Sequence, residues 1–162
     1  MKFELTEEQL DIQRAAREFA EKEFTPEKGR EYDEKYEFPW EFYKKAARLG
    51  FSGISLPEEY GGQGLGCIEE CLVAEEFNRV DSTLSAILWD GGGLATLVAM
   101  FGTEEQKEKY IPRVCRGEVV YALALTEPNH GSDAGIVGLE TTAVKDGDEW
   151  VINGAKTFIT CG

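Results

Sequence analysis

At Gly117 the hydrophobic pattern of this 162-residue chain changes period, and few folds accommodate such a change. Before it, apolar residues recur at three and four positions, the spacing of helices that bury one face. After it comes a near-continuous apolar run over 119–125. Shorter runs follow at 141–145, 149–152 and 156–160, separated by Asp146-Gly147-Asp148 and Asn153-Gly154, both hairpin signals. The fold class expected is α+β. An all-α helical domain over 1–118 precedes the first strands of an antiparallel β domain over 119–162. So small a meander is marginal in water, so the β part reads as incomplete.

Local chemistry punctuates the helical part. Thr6-Glu7-Glu8-Gln9 is a capping box that opens a helix burying Ile12, Ala16, Phe19 and Ala20 and ending near Phe24. Residues 25–37 show no clear period and are expected to be an irregular connection. Pro39 suits the start of a second helix, with Phe42, Ala46 and Leu49 as its stripe and Gly50 as its C-terminal cap. The glycines of residues 57–66 do not fit G-x-G-x-x-G and predict a tight loop rather than a phosphate cradle. From Cys67 to Val80 a helix is expected with Ile68, Cys71, Leu72, Glu75 and Phe77 near one face. Ser82 is the expected cap of a central, buried helix through Leu84, Leu88, Leu97 and Phe101. Gly91, Gly92 and Gly93 interrupt it at about 1 kcal/mol each relative to alanine. Close helix packing and the floor of a groove for a ligand chain, lined by Trp89, Gly92 and Thr96, both account for them. A second capping box, Thr103-Glu104-Glu105-Gln106, opens a helix to about Cys115.

Seventeen basic residues against thirty-one acidic ones give a formal charge of -14, which argues against nucleic-acid binding. Cys67, Cys71, Cys115 and Cys161 make no disulfide framework, and one histidine with no second close cysteine pair argues against zinc. Cys67 and Cys71 read as buried thiols. No signal peptide and no apolar run of about 18 residues is present. A reduced, cytoplasmic protein without a membrane span is expected.

Chemistry concentrates where the first apolar run breaks. Thr126, Ser132 and Asp133 offer two hydroxyls and a carboxylate, and Gly131 allows a close backbone approach. His130 beside Ser132 and Asp133 invites a hydrolase reading. Neighbours on one loop seldom form the relay a triad needs, and no G-x-S-x-G elbow occurs. His130 is expected to be an exposed loop residue.

The run Ala124-Leu125-Thr126-Glu127-Pro128-x-x-Gly131-Ser132-Asp133, followed by Asn153-Gly154-x-Lys156-Thr157-Phe158-Ile159-Thr160, resembles the flavin-facing signature of the acyl-CoA dehydrogenases in order and spacing. The resemblance covers essentially the whole chain, but only the family's N-terminal helical domain and the opening strands of its β domain. It implies FAD as cofactor. By that match Leu123, Leu125, Thr126, Gly131 and Ser132 flank one part of the flavin, and Phe158, Ile159 and Thr160 another. Thr160 lies near N5, Thr126 near the pyrimidine edge, and Phe158 stands where many relatives use tryptophan. Ser132 is also the residue expected to touch the coenzyme A portion of the substrate. His130 departs from the small residue many relatives carry.

The reaction so implied is α,β-dehydrogenation of an acyl-CoA thioester, or its reverse. No catalytic residue is assigned within this chain. The base is expected from a C-terminal segment or a second chain, and Glu127 is read as a structural loop residue. An electron-transferring flavoprotein and a homo-oligomer are the partners the resemblance implies. The rival reading is a non-catalytic module that binds acyl groups or another protein, and a colourless preparation would favour it.

Overall fold

Helix α1 (Glu7–Glu23) opens on the expected capping box. The Thr6 hydroxyl accepts from the Gln9 N–H at 3.2 Å, and the Gln9 side chain accepts from the Thr6 N–H at 3.0 Å. The computed structural model describes residues 4–135 and 138–162, and the side chains of 89–92 lie outside the described set. The chain forms two compact units, one up to Tyr121 and one from Ala122 to Gly162.

In the first unit, α1 packs against α4 (Cys67–Val80), with α3 (Trp40–Arg48) and α5 (Ser82–Gly93) closing the core. Phe19 and Phe24 from the α1 end meet Phe42, Phe51 and Phe77, with neighbouring centroids as close as 4.9 Å for Phe24 and Phe42. Such pairs add about 0.5–1.5 kcal/mol each beyond the area they bury. Glu76 on α4 is buried and accepts from Arg17 of α1 at 2.6 and 2.9 Å and from Arg79 at 3.2 Å. Arg17 foremost holds its carboxyl below the ordinary range. A smaller cluster of Leu56, Ala95, Ile111 and Val114 joins α6 (Ala95–Phe101) to α7 (Glu104–Cys115). Helix α7 begins on the second capping box, again as the sequence implies.

Several expectations change. Residues 25–37 are not irregular: Pro26–Lys35 forms α2, capped by the Thr25 hydroxyl accepting from the Lys28 N–H at 3.3 Å. It buries no residue, so the sequence carries no apolar period there. Helix α4 buries Leu72, Val73, Glu76 and Phe77, whereas Ile68, Cys71 and Glu75 are exposed. A rotation of one position therefore separates the read face from the true one. It also leaves Cys67 and Cys71 exposed rather than buried. Asp81, not Ser82, caps α5, accepting from the Leu84 N–H at 2.9 Å. The central segment is two helices separated at Leu94, with all three glycines inside α5. Leu84, Leu88 and Ala95 are buried, but Leu97, Met100 and Phe101 are 46%, 65% and 77% exposed. A helix as short as α6 sets one side on α7 and leaves the other uncovered.

In the second unit, β1 (Thr142–Asp146) and β2 (Glu149–Asn153) pair antiparallel, with Thr142 opposite Asn153 and Asp146 opposite Glu149. Gly147, at φ 61°, takes the first central position of the two-residue turn, the pattern of a type II′ hairpin. The runs at 119–125 and 156–160 are not strands. Their apolar composition suits a ladder, but a strand exists only where a partner accepts its N–H groups. Among the described residues β1 and β2 pair only with each other, and Val144, Trp150, Val151 and Ile152 are exposed. No described helix is long and apolar enough to cross a membrane.

Candidate functional site

Glu127 organises the second unit. Its side chain is buried, yet it is an acid with two oxygens to satisfy. One oxygen accepts from the Glu140 N–H at 2.6 Å; the other accepts from the Thr141 N–H and the Lys156 ammonium, each at 2.9 Å. Thr141 and Lys156, in that order, pull its carboxyl down to about 2. Lys156 also donates to the Leu125 carbonyl at 3.0 Å, and the Thr157 N–H donates to the Thr126 carbonyl at 3.0 Å. These bonds lay residues 156–157 alongside residues 125–127. The two halves of the sequence signature, remote in the chain, are thus neighbours in space.

Around this knot the expected flavin contacts fall into two chemical kinds. Leu123 and Leu125 are 53% and 44% exposed, and Phe158 is 92% exposed at a left-handed φ of 54°. Backbone strain of this sort is uncommon for an aromatic residue and holds the ring out of the unit's own packing. Thr126 and Ile159 are half-buried, and Thr160, Gly131 and Ser132 are exposed. Apart from its chain neighbours, no described residue has an atom within 4 Å of where a Cβ on Gly131 would stand, so that position is open among the described residues. Apolar side chains with hydroxyls and backbone groups between them, and no ionised group among the eight, suit a flat ring with a polar edge. The residues present therefore fit an isoalloxazine.

The Glu127 loop closes by a reciprocal pair of backbone bonds, Glu127 N–H to the His130 carbonyl at 2.9 Å and His130 N–H to the Glu127 carbonyl at 3.1 Å. His130 is not the exposed residue expected. Its side chain is 18% exposed, with Nδ1 3.1 Å from Asp133 Oδ2 and Nε2 3.8 Å from Glu140 Oε1. A loop that folds back on itself gives the imidazole two carboxylates to face. No hydrogen bond joins Ser132 to His130 among the described residues, so the hydrolase relay is not assembled. Nor does any described group of three or more His, Cys, Asp or Glu side chains converge as a metal site.

Of the acyl-groove residues, Thr96 is half-buried on α6 in the first unit, while the Trp89 and Gly92 positions lie outside the described side chains. The first unit also has an open recess of about 770 Å³ that the sequence reading missed. Ile12, Phe19, Leu49, Phe51, Ile54 and Leu65 line it, with Lys22 and Arg48 at its edge. Glu127 and Lys156 were legible as letters of the signature, one in each half, but not as a pair. That an acid and a base occur at fixed places in the two halves was the available signal.

Two family models match the chain: Acyl-CoA dehydrogenase, N-terminal domain, over residues 6–118, and Acyl-CoA dehydrogenase, middle domain, over residues 122–162. Acryloyl-CoA reductase (NADH) of Anaerotignum propionicum is 43% identical over all of this chain and 41% of its own length. The short-chain specific acyl-CoA dehydrogenase of Clostridium acetobutylicum is 44% identical over all of this chain and 42% of its own length. A solved chain reported as electron transferring flavoprotein of Acidaminococcus fermentans superposes with TM-score 0.89 at 44% identity, covering all of this chain and 42% of that one. An acyl-CoA dehydrogenase complexed with FAD from Bacillus anthracis superposes at 0.86 and 37% identity, covering 96% of this chain and 27% of that one. The chain thus spans about two fifths of the length of the curated relatives it matches. With models of two consecutive domains matching across both structural units, the chain belongs to the acyl-CoA dehydrogenase family.

Proposed function

We propose that this chain is the N-terminal and early middle-domain part of an FAD-dependent acyl-CoA dehydrogenase that introduces, or in reverse reduces, the α,β double bond of an acyl-CoA thioester. The observation that carries the reading is the Lys156–Glu127 knot. It sets the exposed apolar and hydroxyl groups of both signature halves beside one another. Leu123, Leu125, Thr126, Gly131, Ser132, Phe158, Ile159 and Thr160 would hold the flavin. When bound, FAD supplies the two-electron acceptor for the hydrogen leaving the β-carbon.

The chain's own residues orient and exclude. Leu125 and Phe158 offer apolar surface against a ring face, and Thr126 and Thr160 offer neutral hydrogen bonds to its edge. Ser132, on the same loop, offers a hydroxyl to the thioester's coenzyme A portion, and Trp89, Gly92 and Thr96 are assigned to the acyl chain. Glu127 is unsuited as the α-proton base. It is buried, its oxygens already accept three hydrogen bonds, and a carboxyl held at about 2 is too weak a base. The base is assigned to a C-terminal segment or a second chain, in keeping with the two fifths of its relatives' length that this chain spans. One relative named above is a reductase and another a dehydrogenase, so the proposal keeps both directions.

An electron-transferring flavoprotein is the proposed acceptor. A relative from Acetobacterium woodii named caffeyl-CoA reductase-Etf complex subunit CarC, 45% identical over 96% of this chain and 41% of its own length, supports this. Subunit association into a homo-oligomer and a cytoplasmic setting, where cysteines stay reduced, complete the reading. Anaerobic mixing of flavin-loaded protein, in its full assembly, with a saturated acyl-CoA tests it. Bleaching of the flavin band with release of the α,β-unsaturated thioester is expected. An oxidised flavin that saturated thioesters leave unbleached, together with a reduced flavin that unsaturated thioesters do not reoxidise, contradicts it.

A further inference from the structure

His130 is the single histidine of the chain, and it stands in the loop that carries Gly131 and Ser132. It is held from three sides. Its backbone closes the loop onto Glu127. Its Nδ1 lies 3.1 Å from Asp133 Oδ2, three residues along the same loop. Its Nε2 points toward Glu140 Oε1 at 3.8 Å, in the segment entering β1. Glu140 is itself steadied by the Asn129 amide, which donates to both its oxygens at 3.2 and 3.0 Å. The charged groups facing the imidazole are thus Asp133, Glu140 and Glu127, and Lys156 offsets Glu127 alone. A neutral imidazole can donate from only one nitrogen, whereas an imidazolium donates from both.

We propose that His130 is a positioning residue whose imidazolium clasps Asp133 and Glu140 and so fixes the loop bearing Gly131 and Ser132, and that loss of its proton releases one carboxylate and loosens the loop. The geometry supports this: two carboxylates on separate segments flank the ring, Asp133 within hydrogen-bond reach of Nδ1 and Glu140 at ion-pair distance from Nε2, and only the charged form attracts both. Asp133, followed by Glu140 and Glu127, raises the proton affinity of the ring. A raised folded-state value means that the stabilisation is full below the ordinary histidine value of about 6.5 and fades as pH rises through the folded value. The consequence for ligand binding rests on the functional reading above. Above that pH, Ser132 and Gly131 lose their fixed place, and affinity for the coenzyme A portion falls.

Amide hydrogen exchange of residues 129–135 across the neutral range, corrected for the intrinsic pH dependence, tests the clasp on the whole chain. A severalfold loss of protection is expected, with a midpoint equal to the imidazole titration followed by NMR. In His130→Gln the pH dependence disappears, and protection stays at the level of the deprotonated wild type. In His130→Lys, a permanent cation, protection persists at high pH. The β1 and β2 amides, read in the same spectra, report that each variant is folded. Protection that is independent of pH in the wild type, or a transition that survives in His130→Gln, overturns the proposal. Titration with free coenzyme A separates the two readings. Weakening across the same pH window in wild type but not in His130→Gln supports the clasp at a ligand loop. An exchange transition with no coenzyme A shift at either pH upholds the clasp and counts against the substrate assignment of Ser132.

Discussion

The Lys156 ammonium donates to the Glu127 carboxylate at 2.9 Å and to the Leu125 carbonyl at 3.0 Å, so one side chain fastens segments 31 residues apart. Its partner is buried, and a buried carboxylate without a counter-cation is far costlier than an exposed one. Lys156→Met keeps the aliphatic stem and removes the charge. The expected result is loss of exchange protection at Thr141 and Thr157, and flavin binding weaker by about tenfold, the effect of one lost charge-assisted bond. Protection unchanged at both amides contradicts the knot.

Glu127 makes the second unit acid-sensitive in a stated direction. Its folded value, about 2, lies below the ordinary carboxyl range, so its contribution is fully present above about 4.3 and disappears as pH falls through the folded value. The Glu140 and Thr141 amides are therefore expected to lose protection between about pH 4 and pH 2. Glu127→Gln removes that dependence. Carboxyl NMR of Glu127 checks the assignment directly.

The aromatic core of the first unit predicts a large and local cost. Phe77 is 1% exposed and touches Phe19, Phe24 and Phe51. Phe77→Ala is expected to destabilise the unit by about 3–5 kcal/mol, read by denaturant unfolding. Leu97→Ala, on the uncovered side of α6, is expected to cost about 0.5 kcal/mol or less.

The sequence made some of this legible and hid the rest for identifiable reasons. Thr6 and Thr103 announced α1 and α7 because a capping box is a local arrangement, complete within four residues. The Gly147 turn was legible for the same reason. Helix α2 was hidden because a helix that buries nothing leaves no apolar period. The buried face of α4 was misread because Glu76, an acid, belongs to the core side through two arginines supplied partly by α1. Apolar residues at 119–125 and 156–160 looked like strands because composition records what a segment suits, not whether a partner is there. At the site, the signature named exposed residues, Leu125, Phe158 and Thr160, and the half-buried Thr126. It did not disclose that Glu127 and Lys156 hold the two halves together, nor that His130 is gripped by Asp133, because each pairing depends on the path of the loop.

The most direct test of the account is titration of the chain with FAD, followed by amide NMR at ligand concentrations high enough to populate weak binding. The account predicts shifts concentrated at Leu123, Leu125, Thr126, Gly131, Ser132, Phe158, Ile159 and Thr160, reduced together in Lys156→Met. Saturable shifts that leave those eight residues still, and gather instead around the recess between Phe19 and Leu65 or on the β1–β2 hairpin, would contradict it.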